Sequence, residues 1–389
     1  MRHTWIEISR EAFCHNIDQI KQLIGATQLG VVLKADAYGH GLRQMAMLAD
    51  EHLSIDYIFT ALTSEALAIR QAGITKRICA LVCCDSSLQE VLSQDIDLVW
   101  YDAAQLHIVA EAARKAGICA RVHLKIDTGM SRLGVAPDEV PNCIEMLNDY
   151  PHVKLVGVMT HLCDADNVSE DSLKFTQHQL TLFNETVTAI KNRLSYPLEV
   201  VHACASAGAL FFSEHCSLVR IGESLYGAQG MVRIATNMLG YYKPAVQRTR
   251  LQAMKVSFSL RPILTWKTRI IQIKKIPEGS FVGYNRTYST TQPTRIAVVP
   301  VGYFDGYPRA LSNNASMLVK GVHVPVIGRV SMNMCTLDVS TLSDVGEGEE
   351  VIIMGDYPGL TADELAAQAS TINLTLFTGL HATIHRTII

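Results

Sequence analysis

Lys34 is the residue whose position most clearly predicts chemistry. It follows an apolar run, Val31 to Leu33, and precedes a segment that contains Gly39 and Gly41. The run predicts a buried strand, and the glycines predict a turn after it. An amine at the end of a buried strand loses hydration, which lowers its pKa and makes it a candidate nucleophile for a Schiff base. The alternative is an ordinary lysine whose stem is buried and whose charged head reaches water.

Other polar residues also follow apolar runs. They are Tyr38 after the first run, Lys125, Asp127 and Arg132 after the fifth, His161 after the sixth, His202 and Ser206 at the seventh, and Arg220 and Gly222 at the eighth. Any one of them is more often a structural residue than a catalyst. Their shared position at strand ends indicates one common site.

The elements that must position these residues alternate between strands and helices. Eight apolar runs are centred near Val32, Phe59, Leu81, Val99, Leu124, Val158, His202 and Arg220. The segments 64–72, 103–116 and 177–193 between them carry apolar residues at helical spacing. This alternation predicts parallel strands joined by helical crossovers, and eight units over about 230 residues predict a (β/α)8 barrel. The alternative is an open, doubly wound sheet.

After about residue 255 the pattern predicts a mostly antiparallel β domain. Its predicted strands are short and separated by turns, at 263–275, 295–301, 317–319, 324–327, 335–339 and 350–354. Thr361 and Glu364 form a capping box for a short helix over 361–369. Residues 5–8 alternate like a strand that pairs with this domain. We therefore predict a barrel at 11–250 and a β domain at 1–10 and 251–389, with 241–250 as an exposed linker or insertion.

Composition limits the class of protein. A chain of 389 residues exceeds one typical domain, and 48% hydrophobic residues are enough for sizeable cores. A net charge of −3 and a pI of about 6.5 predict neither a nucleic-acid nor a membrane partner. Ten scattered cysteines without metal-ligand spacing predict a reduced, cytoplasmic protein with no metal site.

The ends of the seventh and eighth strands are where barrels tend to bind phosphate. Ser206 offers a hydroxyl there, and the segment 220–224 offers backbone N–H groups. A Schiff-base lysine opposite a phosphate site implies pyridoxal phosphate as the cofactor.

With these residues the chain resembles the alanine racemase family along nearly its whole length. The motifs that carry the resemblance are Lys34-Ala35-Asp36-Ala37-Tyr38-Gly39-His40-Gly41, Lys125-Ile126-Asp127-Thr128-Gly129-Met130-Ser131-Arg132-Leu133-Gly134, Thr160-His161-Leu162, Arg220-Ile221-Gly222, Leu225-Tyr226-Gly227, Gly283-Tyr284-Asn285-Arg286-Thr287-Tyr288 and Gly302-Tyr303-Phe304-Asp305-Gly306-Tyr307-Pro308-Arg309. The resemblance implies an N-terminal barrel, a C-terminal β domain, pyridoxal phosphate and a homodimer.

The resemblance also implies the two catalytic bases, Lys34 and Tyr284. Racemisation removes a proton from one face of Cα and returns one to the other, so bases on opposite faces meet that need. Lys34 would also bind the cofactor covalently. Tyr284 would reach the site from the second subunit.

The remaining site residues follow from the same resemblance. Arg220 would face the pyridine nitrogen with His202 behind it, and His161 would assist Tyr284. The phosphate would be held by Tyr38, Ser206, Gly222 and Glu223. The substrate carboxylate would contact Arg132 and the backbone N–H of Met332, with Tyr303 and Asp305 at the entrance. Lys125 would be a carbamylated lysine beside Arg132 or, alternatively, an unmodified salt-bridge lysine.

Several positions depart from the family pattern. Leu374 stands where the family usually has a tyrosine, Asn333 and Met334 replace Asp-Gln, and Ala205 replaces an asparagine. A leucine at 374 would widen the substrate pocket, so a range that includes serine is the main alternative to strict alanine racemisation. The sequence also leaves open a barrel-type decarboxylase of basic amino acids and a non-catalytic pyridoxal-phosphate carrier. D-alanine would serve peptidoglycan synthesis or be degraded.

Overall fold

The computed structural model describes residues 3–167, 169–212, 216–228 and 258–389. The chain begins with strand β1 (Thr4–Ile8), and eight parallel barrel strands follow. These are β2 (Gln28–Val32), β3 (Tyr57–Leu62), β4 (Arg77–Cys83), β5 (Ile96–Trp100), β6 (Ala120–Lys125), β7 (Val153–Met159), β8 (Val200–His202) and β9 (Leu218–Ile221). They lie in the order β8-β7-β6-β5-β4-β3-β2-β9. The backbone N–H groups of Ser217 and Arg220 donate to Val201 (3.0 Å) and Cys204 (2.9 Å) and nearly close the barrel, which confirms the predicted fold.

Helices surround the barrel strands. They are α1 (Arg10–Ile24), α2 (Lys34–Tyr38), α3 (Leu42–Glu51), α4 (Thr63–Gln71), α5 (Leu88–Ser93), α6 (Ala103–Ala116), α7 (Val140–Met146), α8 (Glu170–Lys191) and α9 (Ser206–Phe211). The predictions for α4 and α6 agree with the structure. The predicted start of α8 at 177 was wrong, because Ser169 caps the helix earlier through its hydroxyl, which accepts from the Ser172 N–H at 3.3 Å.

The C-terminal part is mostly antiparallel. Its strands are β10 (Leu264–Arg269), β11 (Gln272–Ile276), β12 (Phe281–Val282), β13 (Tyr288–Ser289), β14 (Thr294–Val299), β15 (Ser316–Val319), β16 (Val322–Pro325), β17 (Cys335–Asp338), β18 (Glu350–Met354) and β19 (His385–Ile388). They form a six-stranded sheet (β16-β15-β18-β10-β1-β19), a three-stranded sheet (β11-β14-β17) and the hairpin β12-β13. The predicted run 263–275 is two strands in different sheets, because Ile270 bonds to Glu349 and Ile271 bonds to Val298.

Two short helices complete this part, α10 (Ala362–Gln368) and α11 (Asn373–Gly379). The predicted capping box of α10 is present, with Thr361 and Glu364 bonded to each other's backbone N–H groups. Strand β1 pairs antiparallel with β10 and parallel with β19, as predicted for residues 5–8. The predicted linker 241–250 and the boundary at 250 lie outside the described residues, so the domain limits stay a prediction.

The barrel interior combines an apolar layer with buried polar groups. Val32, Phe59, Val99 and Met159 are among its apolar members. Asp97, His123, His202 and Arg220 are at most 2% exposed. Buried polar groups are tolerated only when they are hydrogen-bonded, so this interior must carry a polar network. Among the described helices, none is long and apolar enough to cross a membrane.

Candidate active site

A cleft of about 320 Å³ opens at the carboxyl ends of the barrel strands. Nine of the residues predicted for the site line it, namely Lys34, Tyr38, Lys125, Arg132, His161, Ser206, Arg220, Gly222 and Glu223. Leu374 of α11 and Ala205, two of the departures from the family pattern, line it as well. The barrel therefore brings together within one chain the residues predicted to hold the cofactor and one of the two predicted to hold the substrate carboxylate, Arg132.

A larger cavity of about 610 Å³ lies elsewhere, between α3, α4 and residues 382–386. Its walls contain neither Lys34 nor Lys125. Because lysines with lowered pKa values mark reactive sites better than volume does, we place the chemistry in the smaller cleft.

Lys34 and Tyr38 are presented by a left-handed turn. Residues Ala35 to Tyr38 have φ values between 52° and 55°. This conformation costs L-residues about 1–2 kcal/mol each, so the surroundings must hold it. The Ala35 N–H donates to Glu65 Oε1 at 2.6 Å, and buried Arg386 donates to the Gly39 carbonyl at 2.9 Å.

Lys34 has the electrostatic surroundings of a reactive amine. Its side chain is exposed towards the open cleft. Desolvation by the cleft walls and the charge of Arg132 nevertheless lower its pKa, Glu65 opposes this, and Arg220 lowers the pKa further. A lowered pKa leaves more of the amine uncharged and nucleophilic at neutral pH.

A second lysine and a loop lie across the cleft. Burial, together with Arg132 and Arg220, lowers the pKa of Lys125 to about 8. The Oδ1 atom of Asp127 accepts the N–H groups of residues 129, 130 and 131 at 2.9 to 3.1 Å. Burial opposes ionisation of Asp127, but these bonds lower its pKa. Asp127 thus fixes the loop that presents Arg132 to the cleft.

Both Nη atoms of Arg220 are held by acceptors from the protein. Its Nη1 donates to His202 Nδ1 and to the His202 carbonyl, both at 2.8 Å. Its Nη2 donates to the carbonyls of Thr160 (2.8 Å) and Ala203 (3.1 Å) and lies 3.3 Å from His161 Nδ1. Burial lowers the pKa of Arg220 only to about 10, so it stays charged at neutral pH. Burial and the charge of Arg220 lower the pKa of His161 to about 3, so this ring is neutral.

The opposite end of the cleft has small residues and hydroxyls. Ser206 Oγ accepts the N–H groups of Gly222 (3.1 Å) and Ser224 (3.3 Å). A Cβ atom at position 222 would lie 2.5 Å from the Tyr38 hydroxyl, so only glycine lets this hydroxyl approach. Glu223 accepts from Asn373 of α11 at 3.1 Å, and burial raises the pKa of Glu223. A raised pKa reduces the negative charge of Glu223 at the end of the cleft that contains Ser206 and Gly222.

The other predicted residues lie on a separate surface. We call residues 283–286, 302–305 and 331–334 the C-terminal loop surface. The N–H groups of Tyr303 and Phe304 bond to the carbonyls of Ser331 (3.1 Å) and Met332 (2.9 Å). Tyr284 is 67% exposed and Met332 is 54% exposed. Among the described cleft-lining residues, none comes from this surface, so one chain does not unite Tyr284, Met332, Tyr303 or Asp305 with Lys34.

Comparison with known proteins decides the family. The chain matches the model "Alanine racemase, N-terminal domain" over residues 8–230 and "Alanine racemase, C-terminal domain" over 263–388. The chain belongs to the alanine racemase family. Its members are isomerases.

Individual relatives cover the whole length. The chain is 36% identical to the alanine racemase of Syntrophobacter fumaroxidans, with 97% of this chain and 95% of that protein covered. It is 32% identical to that of Halothermothrix orenii, with 99% and 96% covered. The crystal structure of alanine racemase from D-cycloserine-producing Streptomyces lavendulae superposes with a TM-score of 0.86 at 29% identity, with 100% and 97% covered.

Four supporting residues of this site were not predicted from the sequence. Asp97 and His123 are bonded behind His202, and Glu65 and Arg386 brace the left-handed turn. The sequence could have indicated His123, because it lies two residues before Lys125 and so faces the same side of β6. No local pattern indicated the role of Arg386, since its partner Gly39 lies 347 residues away.

Proposed function

We propose that the chain is a pyridoxal-phosphate-dependent racemase that interconverts L- and D-alanine as a homodimer. The observation that carries this proposal is the arrangement of Lys34 and Arg220, an amine with a lowered pKa and a fixed guanidinium in one cleft. The family and its named relatives support the same activity. A cytoplasmic location and the use of D-alanine for peptidoglycan or as a nutrient stay predictions.

The residues present fit pyridoxal phosphate. Both Nη atoms of Arg220 are engaged by protein acceptors, and no described residue takes its Nε–H. That N–H is therefore the donor available to a ring nitrogen. Lys34 would hold the aldehyde end, and Tyr38, Ser206 and the backbone at 222–223 would hold the phosphate.

When bound, the cofactor supplies an electron sink that acidifies the proton on the substrate Cα. Arg220 limits that sink, because a guanidinium does not readily give its proton to a ring nitrogen. A weaker sink disfavours side reactions such as transamination. Arg220 thus contributes to reaction specificity.

Proton movement falls to two side chains of different subunits. The Lys34 amine would accept or return the proton on one face of Cα, and the Tyr284 phenol of a second copy would act on the other. Because Nδ1 of the neutral His161 ring faces the Arg220 donor, its proton lies on Nε2, and this N–H would donate a hydrogen bond to the oxygen of that phenol. Arg132 and the backbone N–H of Met332 would hold the substrate carboxylate.

The exposure of the C-terminal loop surface supports the dimer. Five of its side chains are large, apolar or aromatic and at least 44% exposed, namely Tyr284, Tyr303, Phe304, Met332 and Met334. A patch of this kind is typical of a protein interface. Its coverage by the cleft of a second copy would complete the site.

Absorbance with borohydride reduction tests the cofactor, and a chiral assay tests the activity. We expect a band near about 420 nm that vanishes on reduction, with the cofactor attached to Lys34. We also expect D-alanine to form from L-alanine. Release of carbon dioxide from L-lysine or L-ornithine without racemisation would instead indicate the decarboxylase, and a bound cofactor without turnover would indicate the carrier.

Leu374 favours a broader substrate range as the second candidate. It lines the cleft, where a larger side chain would narrow the space for substrate. The ratio of kcat/KM for L-alanine to that for L-serine tests this. A preference for alanine above about a hundredfold, near the limit for a small apolar pocket, would contradict the broader range.

A further inference from the structure

A chain of four buried side chains runs from the cleft into the barrel. Arg220 Nη1 lies 2.8 Å from His202 Nδ1, His202 Nε2 lies 2.9 Å from His123 Nδ1, and His123 Nε2 lies 3.2 Å from Asp97 Oδ2. Asp97, His123 and His202 have no exposed surface. A side chain at Gly157 would collide with the His123 ring, so glycine there makes room for the chain.

The two ends of the chain fix its direction. A guanidinium can only donate, so His202 Nδ1 must accept and the His202 proton must lie on Nε2. That proton is donated to His123 Nδ1, which places the His123 proton on Nε2, where the Asp97 carboxylate accepts it. Burial and the neighbouring Arg220 lower the pKa of His202 well below its usual value, which agrees with a neutral ring. With one proton on Nε2 of each histidine, every hydrogen bond from Arg220 to Asp97 has one donor and one acceptor.

A second ion pair anchors the inner end. Arg121 Nε donates to Asp97 Oδ1 at 2.9 Å, and the same guanidinium bonds through both Nη atoms to Glu199 at 2.6 and 3.0 Å. Each oxygen of Asp97 therefore has its own donor. Glu199 lies at the outer edge of this network and contacts neither histidine.

We propose that Asp97 and His123 are positioning residues for Arg220, which they hold through His202 in one orientation towards the cofactor's ring nitrogen. The inference rests on the proposed function only for the identity of the group that Arg220 faces. The proton arrangement itself is a property of the protein. Because His202 presents a lone pair to Arg220, both Nη atoms stay bonded to the protein, which leaves the Nε–H as the donor for the cofactor.

The substitution D97N should reverse the donor–acceptor direction of the hydrogen bonds from position 97 to His202 while it keeps a side chain of nearly the same size. Arg121 can only donate, so it retains the amide oxygen of Asn and leaves the NH₂ group facing His123. His123 must then accept on Nε2 and carry its proton on Nδ1, and His202 must carry its proton on Nδ1. An N–H of His202 would then oppose an N–H of Arg220. Inversion of a tautomer by Asp→Asn is known to cripple a catalytic histidine in serine proteases, where the geometry stays intact.

The test combines tautomer and rate measurements on the holoenzyme. In ¹⁵N-histidine-labelled protein, long-range proton–nitrogen spectra should show His123 and His202 both protonated on Nε2, with H123Q and H202Q identifying their signals among the 14 histidines. D97N should show Nδ1 protonation and a kcat/KM lower by about tenfold to a hundredfold, the usual cost of losing a partner that orients a functional group. E199Q, the matched control, should keep the wild-type tautomers and kcat/KM.

Each contrary outcome overturns the inference. A wild-type His202 protonated on Nδ1 removes its basis, whatever the enzyme's activity. Inverted tautomers with undiminished kcat/KM show that Arg220 does not depend on them. Equal losses in D97N and E199Q show a merely structural network. Should D97N not fold, H123Q replaces it, and an unchanged kcat/KM there also overturns the inference. Failure of the proposed function is distinct, since wild-type protein would then not racemise alanine.

Discussion

The mouth of the barrel and the C-terminal loop surface are organised in opposite ways. At the barrel mouth, Lys34 lies on a strained turn braced by Glu65 and Arg386, and both Nη atoms of Arg220 are bonded to protein acceptors. On the C-terminal loop surface, Tyr284 and Met332 are more than half exposed. One region is assembled by its own chain, whereas the other lacks the contacts its apolar side chains would require. In the proposed homodimer, one half of the active site would depend on folding of the chain and the other half on association of two copies.

Loss of the lysine should break the barrel half completely. We expect K34A to lower kcat by at least about 10⁴-fold, because both the covalent anchor and one base disappear. Racemisation measured by chiral chromatography, without added amines, checks this. K115A, which removes an exposed lysine of α6, should be unaffected. Undiminished turnover by K34A would contradict the mechanism.

Loss of the Tyr284 hydroxyl should remove the contribution of the C-terminal loop surface to catalysis while the barrel mouth keeps its function. Y284F should lower kcat by about 10²- to 10⁴-fold, the usual contribution of one general acid or base. The absorbance band of the bound cofactor should persist, since Lys34 and Arg220 are untouched. Y357F provides the control. A Y284F enzyme with undiminished kcat, or one that no longer shows the absorbance band of the bound cofactor, would contradict the proposed role of the tyrosine.

The strained turn can be tested through its brace. R386Q removes the donor to the Gly39 carbonyl and the neighbour of Asp36, so we expect the free energy of unfolding to fall by about 3 kcal/mol. A displaced Lys34 should lower kcat/KM by about tenfold to a hundredfold. Denaturant titration and steady-state kinetics measure the two effects, with exposed Arg43 changed to Ala as control. Full activity at reduced stability would show that Arg386 stabilises the fold but does not position Lys34.

Lys125 should show the smallest effect, and a dependence on pH. With its pKa at about 8, about a tenth of the amine is neutral at pH 7, against fewer than about one in a thousand for an ordinary lysine. Only the neutral amine reacts with carbon dioxide, so carbamate formation is lost as the pH falls through and below 8. With ¹³C-labelled bicarbonate, a carbamate NMR signal should appear, and K125A should abolish it and lower kcat/KM by about tenfold or less. A signal that persists in K125A would assign the carbamate to another lysine.

The barrel was predictable because its signals are local. Each strand is a short apolar run that ends in a turn, and the run at 31–33 identified the position of Lys34. Strand β19 was not predicted, because three of its four residues, His385 to Ile388, are polar and its partner β1 is at the other end of the chain. Helix α11 carries no cap signal, since Ile372 precedes it.

The candidate site divides in the same way. Motifs located the residues that line the cleft, such as Lys34 and Arg220, since each lies at the end of a recognisable strand. The network behind Arg220 was missed, because the contact of Asp97 on β5 with His123 on β6 depends on the register between these two strands, which the sequence does not give. Sequence patterns give the faces of strands but not the pairing of side chains across the interior.

Subunit complementation tests the shared site most directly. K34A and Y284F proteins, each inactive, are mixed, dissociated and reassociated. If Tyr284 of one copy serves Lys34 of the other, each mixed dimer contains one site with both native residues, and random pairing in a two-fold dimer restores about a quarter of wild-type activity. If both residues act within one chain, every site in the mixture lacks one base. A mixture that stays inactive although mass spectrometry shows mixed dimers would contradict the account.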